Sequence, residues 1–215
     1  MIEIYIACFK TRLSDDVMHK WMTTLPGSIR DAISRFQRWE DRQASLYGKL
    51  LLREALTLNG ADPDCLEHLR LDRYGRPYLE ERVDFNISHS GEFVVCAVTS
   101  FGKIGVDVER VRALDIVEFQ KYISPENWQE INRQEDPLRS FFDHWTMRES
   151  VIKADGRGLS IPLDNLAVKN GAVALEGKEW FLRKLDLAPD YCCHLATDRN
   201  DLEIMLHKGV EIRFS

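Results

Sequence analysis

Asp107 and Glu109 stand two residues apart in the run Ile104-Gly105-Val106-Asp107-Val108-Glu109, where apolar and acidic residues alternate. Successive side chains of a strand point to opposite faces, so a strand here puts both carboxylates on one face and turns Val106 and Val108 into a core. Adjacent carboxylates repel each other, and a hard cation held by their oxygens removes that repulsion. A solvated acidic edge strand has the same pattern, so the pair acquires chemistry only through what else approaches it. Two other groups are suited to do so. Glu149 and Lys153 are four residues apart in the stretch 145–153 and share one side of a helix. They fit a surface ion pair, or a metal ligand, base and phosphate partner beside the glycine-rich basic loop 154–159. Ser88 and His89, in Phe85-Asn86-Ile87-Ser88-His89-Ser90-Gly91, close a strand with small polar side chains, suited to structural hydrogen bonding or to holding an anion. Ser-His-Ser adjacency supplies neither the third partner nor the oxyanion site of a serine hydrolase.

The elements that must position these groups are legible as a succession of periods. Residues 2–9 read as a first strand. A helix capped by Ser14 follows until Pro26-Gly27, a second begins with Ser28 as cap, and a third spans 40–58 and ends at Asn59-Gly60. From Leu69 the period becomes two, with strands at 69–71, 77–79, 83–87, 93–98 and 104–108; the turn 100–103 is expected to join the last two as a hairpin. Helices return at 115–122, after Ser124-Pro125, and over 137–154, with Gly156 just past the end. Strands at 166–169 and 172–175 flank Asn170-Gly171, and others are expected at 180–187, 191–197 and 202–206. The succession predicts an α+β fold of two similar lobes in a pseudo-twofold arrangement, 1–104 and 105–215, without a Pro/Gly/Ser linker between them. Asp107 and Glu109 then lie at the seam, a favoured place for a small-molecule site.

Composition narrows the function classes. The chain has 215 residues, 44% of them hydrophobic, with a formal net charge of −6, which argues for a packed core and against a nucleic-acid binder relying on overall positive charge. Five cysteines without a C-x-x-C pair suggest neither a disulfide framework nor a zinc site, and fit a reducing cytoplasm. No basic leader or membrane-spanning apolar run is evident.

The three segments 85–91, 105–109 and 145–159, in this order and spacing, resemble the 4′-phosphopantetheinyl transferases of the two-lobed, surfactin-synthetase-activating type. The resemblance extends to Tyr74-Gly75-Arg76-Pro77 and Leu159-Ser160-Ile161-Pro162-Leu163. It implies transfer of the phosphopantetheine arm of coenzyme A to a serine of an apo acyl or peptidyl carrier protein, releasing adenosine 3′,5′-bisphosphate. It also implies Asp107, Glu109 and Glu149 as magnesium ligands, Glu149 as the base acting on the carrier serine, and Lys153 as a phosphate contact that assists the leaving group. Ser45, Arg76, Ser88 and His89 match coenzyme A contacts. Ile29 and Ala32 replace lysines that bind the 3′-phosphate in relatives, which assigns that task to Arg30 or Arg35. Arg148 stands where lysine is common, and Asn127 replaces an acidic residue ahead of Trp128. A monomer is implied, with the carrier docking where Phe119, Tyr122 and Trp128 adjoin Arg110 and Arg112. The competing readings are a coenzyme A or carrier-binding module without turnover, and a magnesium-dependent phosphohydrolase.

Overall fold

Two separate sheets lie back to back, each with helices on its outer face. This computed structural model describes residues 1–80, 83–163 and 166–208; the end of the expected second lobe, 209–215, lies outside the described residues. The first sheet has the order β11-β1-β5-β4, with β1 at Ile2–Cys8, β4 at Asp84–Ser90, β5 at Phe93–Thr99 and β11 at Ile204–Lys208. The second has the order β6-β10-β9-β8-β7, with β6 at Ile104–Arg110, β7 at Val168–Lys169, β8 at Ala172–Leu175, β9 at Lys178–Lys184 and β10 at Tyr191–Thr197. A short ribbon pairs β2 (Arg70–Leu71) with β3 (Pro77–Tyr78).

Strand alternation explains the layering. Ile2, Ile4, Ile6, Val95 and Ala97 of the first sheet meet Ile104, Val106, Val108, Cys193 and Leu195 of the second in one core. The opposite face of the first sheet, with Tyr5, Ala7, Val94 and Cys96, carries α1 (Asp15–Thr23), α2 (Gly27–Ser34) and α3 (Trp39–Leu58), whose Leu46, Leu50 and Leu51 are fully enclosed. The opposite face of the second sheet carries α5 (Pro137–Asp155), through Val151, Ile152 and Ala154 against Val173, Trp180 and Leu182. The helix α4 (Pro125–Arg133) packs beside α5 through Ile131, Phe141 and Phe142. Helix, sheet, sheet, helix is the α+β, two-lobed architecture expected.

The ends of α5 decide where Glu149 and Lys153 fall. Asp136 accepts a hydrogen bond from the Arg139 amide at 2.9 Å, Pro137 occupies the first turn, and Gly156 ends the helix at φ 94° with its amide on the Ile152 carbonyl.

Two local expectations fail. The turn 100–103 does not form a hairpin: β5 is already flanked by β1 and β4, and β6 instead pairs with β10 in the other sheet. Ser28 lies inside α2, which starts at Gly27 after Pro26, because proline fixes the extended entry and needs no amide partner. The helix expected at 115–122 is present, as a 3-10 helix over Ile116–Tyr122 with Asp115 capping the Val117 amide. The last strand, β11, runs parallel to β1 and returns the chain to the first sheet.

Candidate active site

The site is built where β6 runs alongside β4. Gly105, Asp107 and Glu109 share the face of β6 turned toward α5, while Val106 and Val108 enter the core between the sheets. Beside them β4 alternates Asp84, Asn86, Ser88 and Ser90 with Phe85 and Ile87. Ser88 Oγ donates to Asp107 Oδ1 at 3.1 Å and Ser90 Oγ donates to Glu109 Oε2 at 2.8 Å.

Helix α5 supplies the other charges. Lys153 Nζ donates to Asp107 Oδ1 at 2.6 Å and to Ser88 Oγ at 2.9 Å, which joins the helix, both strands and hence both lobes at one point. Glu149, one turn earlier, interacts electrostatically with Asp107, Lys153 and Glu109. Burial, then repulsion from Asp107, pushes the Glu149 carboxyl above its ordinary value. Burial and Asp107 raise Glu109 in the same way, against the opposing Ser90 hydrogen bond and the Lys153 charge. Three carboxylates thus confront one ammonium group in a desolvated cleft.

Asp107 is 4% exposed, and its Oδ2 is buried with no hydrogen-bond partner. A buried carboxylate oxygen without a partner is costly. Among the described residues, no three His, Cys, Asp or Glu side chains converge closely enough to hold a metal ion, and Lys153 already occupies Asp107 Oδ1. The free Oδ2, together with two carboxylates that burial and then the Asp107 charge raise, nevertheless fits the all-oxygen preference of a hard cation.

The remaining candidates are distributed around this point. The His89 imidazole is held below its ordinary value by the surrounding protein and then by the Lys153 charge, which favours its neutral form. Ser45 lies on α3 three residues before Gly48, whose position directly faces Ile87 of β4, so α3 approaches the same strand. The Arg76 guanidinium is committed to bridging: it donates to the Ala154 carbonyl at 2.8 Å, to Asp84 Oδ2 at 2.8 Å and to the Ile104 carbonyl at 2.9 Å. It therefore ties β4 and the start of β6 to the last turn of α5. Arg30 lies on α2 and lines a 310 Å³ pocket with Arg53, Thr24, Asp64 and Glu67; Arg35 is exposed at the end of α2. Asp107, Glu109 and Glu149 do not line Arg30's pocket. Arg148 is a buried residue of α5, where burial lowers its guanidinium to about 10 and Nη1 donates to the His144 carbonyl. Asn127 sits in the first turn of α4 and is tied to the cap: its amide and its Nδ2 both donate to Ser124 Oγ, the latter at 2.8 Å.

Two contributors escaped the sequence reading. Gly105 is a point of closest approach: a Cβ there would meet the backbone of Ser150 and Ala154 on α5. Ser90 holds Glu109, and its signal was the polar alternation at 84, 86, 88 and 90.

A family model described as the 4′-phosphopantetheinyl transferase superfamily matches residues 103–200. Another, described as 4′-phosphopantetheinyl transferase, N-terminal, matches residues 13–101. A 4′-phosphopantetheinyl transferase of Bacillus subtilis is 34% identical over 202 residues, covering 88% of this chain and 89% of the relative. The 4′-phosphopantetheinyl transferase Sfp of Bacillus subtilis strain 168 is 30% identical over 182 residues, 81% of each chain. The mouse L-aminoadipate-semialdehyde dehydrogenase-phosphopantetheinyl transferase is 28% identical over 164 residues, 67% of this chain and 52% of the relative.

Proposed function

The chain belongs to the 4′-phosphopantetheinyl transferase superfamily and transfers the phosphopantetheine arm of coenzyme A to carrier proteins, and from that premise we propose how its residues divide the work. The observation that carries the proposal is the junction of Lys153, Asp107 and Ser88, with Glu149 one helical turn away.

The carrier's serine oxygen attacks the phosphorus of the pantetheine phosphate. The new P–O bond forms as the bond to the departing phosphate breaks, and adenosine 3′,5′-bisphosphate leaves. Glu149 takes the serine proton; burial and Asp107 raise its carboxyl and make it a stronger base than a solvated glutamate. Lys153 places a positive charge beside the phosphates, where charge accumulates on the leaving group. Ser88 and His89 border the phosphate-binding side, with Ser45 approaching on α3, Arg76 fixing the lobes, and Arg30 or Arg35 available to the 3′-phosphate. Asp107, Glu109 and Glu149 would hold magnesium, which when bound supplies charge neutralisation of the pyrophosphate.

The division into lobes 1–104 and 105–215, a monomeric state and a cytoplasmic location belong to the same proposal. Among the described residues, no helix is long and apolar enough to cross a membrane. The carrier docks at a 760 Å³ groove lined by Val117, Lys121, Ile123, Pro125 and Trp128, with Tyr122 exposed nearby. Phe119 supports this groove from within, 5.5 Å from Phe141 and 5.6 Å from Trp145 between ring centroids. Arg110, Arg112 and Lys121 give the region local positive charge for an acidic carrier.

The test incubates the protein with coenzyme A, magnesium and several apo carrier proteins, followed by mass spectrometry of each carrier. Addition of one phosphopantetheine group to a carrier serine is expected. No mass gain on any carrier would refute the assignment, and adenosine bisphosphate release without a carrier would indicate hydrolysis instead.

A further inference from the structure

On the side away from β10, strand β6 would be a bare sheet edge, because alternate amides of an antiparallel strand point to opposite edges. Its four outward amides are nonetheless all paired, and each partner is a β4 side chain. The Ile104 amide donates to Asp84 Oδ2 at 2.8 Å and the Val106 amide to Asn86 Oδ1 at 2.9 Å. The Val108 amide donates to Ser88 Oγ at 3.2 Å and the Arg110 amide to Ser90 Oγ at 3.1 Å. Every rung has the same offset of 20 residues. Side chains here do what a backbone ladder does inside a sheet, and they set the register of β6 across the lobe boundary.

The two serine rungs have a further property. An amide N–H only donates, so each serine oxygen must accept from it, and the hydroxyl proton is left to donate elsewhere. That proton goes to a site carboxylate in both cases: Ser88 to Asp107 and Ser90 to Glu109. Ser88 also accepts from Lys153. Among the described residues, the Ser90 hydroxyl makes only the Arg110 amide and Glu109 bonds.

We propose that Ser90 is a positioning residue for the transfer reaction: the Arg110 amide orients its hydroxyl, and that hydroxyl fixes the direction of the Glu109 carboxylate. This rests on the reading of Glu109 as a cation ligand. Partners that orient a metal ligand from behind typically change metal affinity 10- to 100-fold when removed.

The test compares full-length wild type with Ser90→Ala and Ser90→Thr. Ser90→Ala is expected to need about tenfold more magnesium for half-maximal transfer, with KM for coenzyme A unchanged. Ser90→Thr keeps the hydroxyl and restores the wild-type magnesium dependence. Titration of each protein with manganese alone, followed by electron paramagnetic resonance of the free ion, should show the same loss of about tenfold in Ser90→Ala and its recovery in Ser90→Thr. Hydrogen exchange at the Arg110 amide should accelerate in Ser90→Ala only. Wild-type manganese affinity in Ser90→Ala would overturn the proposal alone. So would a raised KM for coenzyme A with unchanged magnesium dependence, which would make Ser90 a substrate contact. Wild-type protein that binds no manganese would overturn the metal reading of Glu109 and this proposal together.

Discussion

Replacing Gly105 with alanine should disable transfer without touching a charged residue. Gly105 lies on the face of β6 that carries Asp107 and Glu109, pressed against α5. A Cβ there would stand 2.9 Å from Ala154 Cα, and nearer still to the Ser150 carbonyl oxygen and the Ala154 amide nitrogen. All three are helix backbone, so no rotamer change relieves the contact. Carbon atoms settle at about 3.5–4.0 Å, so α5 must withdraw from β6 by roughly 1 Å. Glu149 immediately precedes Ser150 and Lys153 immediately precedes Ala154, so the displacement passes directly to both. The Lys153 to Asp107 bond, at 2.6 Å, is the first to stretch. A misplacement of about 1 Å can cost about 10²-fold in rate, whereas overpacking costs about 1–3 kcal/mol in stability. The assay is carrier mass gain under saturating coenzyme A and carrier, with circular dichroism to establish that the variant is folded at the assay temperature. The expected outcome is a folded protein whose kcat has fallen by about two orders of magnitude. A folded Gly105→Ala variant within twofold of wild-type kcat would refute the claim that close helix approach sets the site.

Glu149→Gln should retain coenzyme A binding by calorimetry and lose transfer, because the amide cannot accept the serine proton; unchanged turnover would remove Glu149 from the mechanism. Chelation with EDTA should abolish transfer and magnesium should restore it, while full activity in excess chelator would refute the cation reading. Arg76→Ala breaks a well-buried pair with Asp84 and releases three carbonyls, a loss of about 3–5 kcal/mol, or roughly 6–20 °C in Tm at this chain length; calorimetry showing a shift under 2 °C would contradict the bridging role. Stability should also depend on pH through His194, whose imidazole burial lowers to about 4, with Thr146 Oγ1 2.8 Å from Nδ1. Above about pH 6.5 the residue is neutral in both states; as pH falls from there to about 4 the unfolded chain binds the proton first, and about 3 kcal/mol is lost. Burial lowers His144 in the same direction. Urea titrations at pH 7.5 and pH 4.5 should differ accordingly, and His194→Gln should flatten the difference.

Local chemistry made some of this fold readable and left the pairing of edges unread. Asp136-Pro137 and Gly156 mark the ends of α5 because capping and left-handed geometry are properties of a few adjacent residues. Asn170-Gly171 marks its hairpin for the same reason, with both residues at positive φ. Gly102 equally marks a reversal, but a reversal does not say which edge the next strand will find. Lys103 there binds Asp198 through its amide at 2.7 Å, and the chain crosses into the other sheet. Strand β11 returning to β1 is a long-range choice of the same kind.

The alternation at 84, 86, 88 and 90 was visible, and a solvated face explains such alternation as readily as a functional one. Its meaning lies in four amides twenty residues further on that no backbone partner reaches. Asp107 and Glu109 depend on that seam in turn. An acidic pair on an exposed edge would be free to splay into water, whereas here Ser88 and Ser90 hold each carboxylate, Gly105 admits α5, and Lys153 closes over Asp107. The acidic residues are therefore the readable part of the site. The part that holds them in place is a set of neutral, small side chains brought to them from β4 and from the contact of β6 with α5.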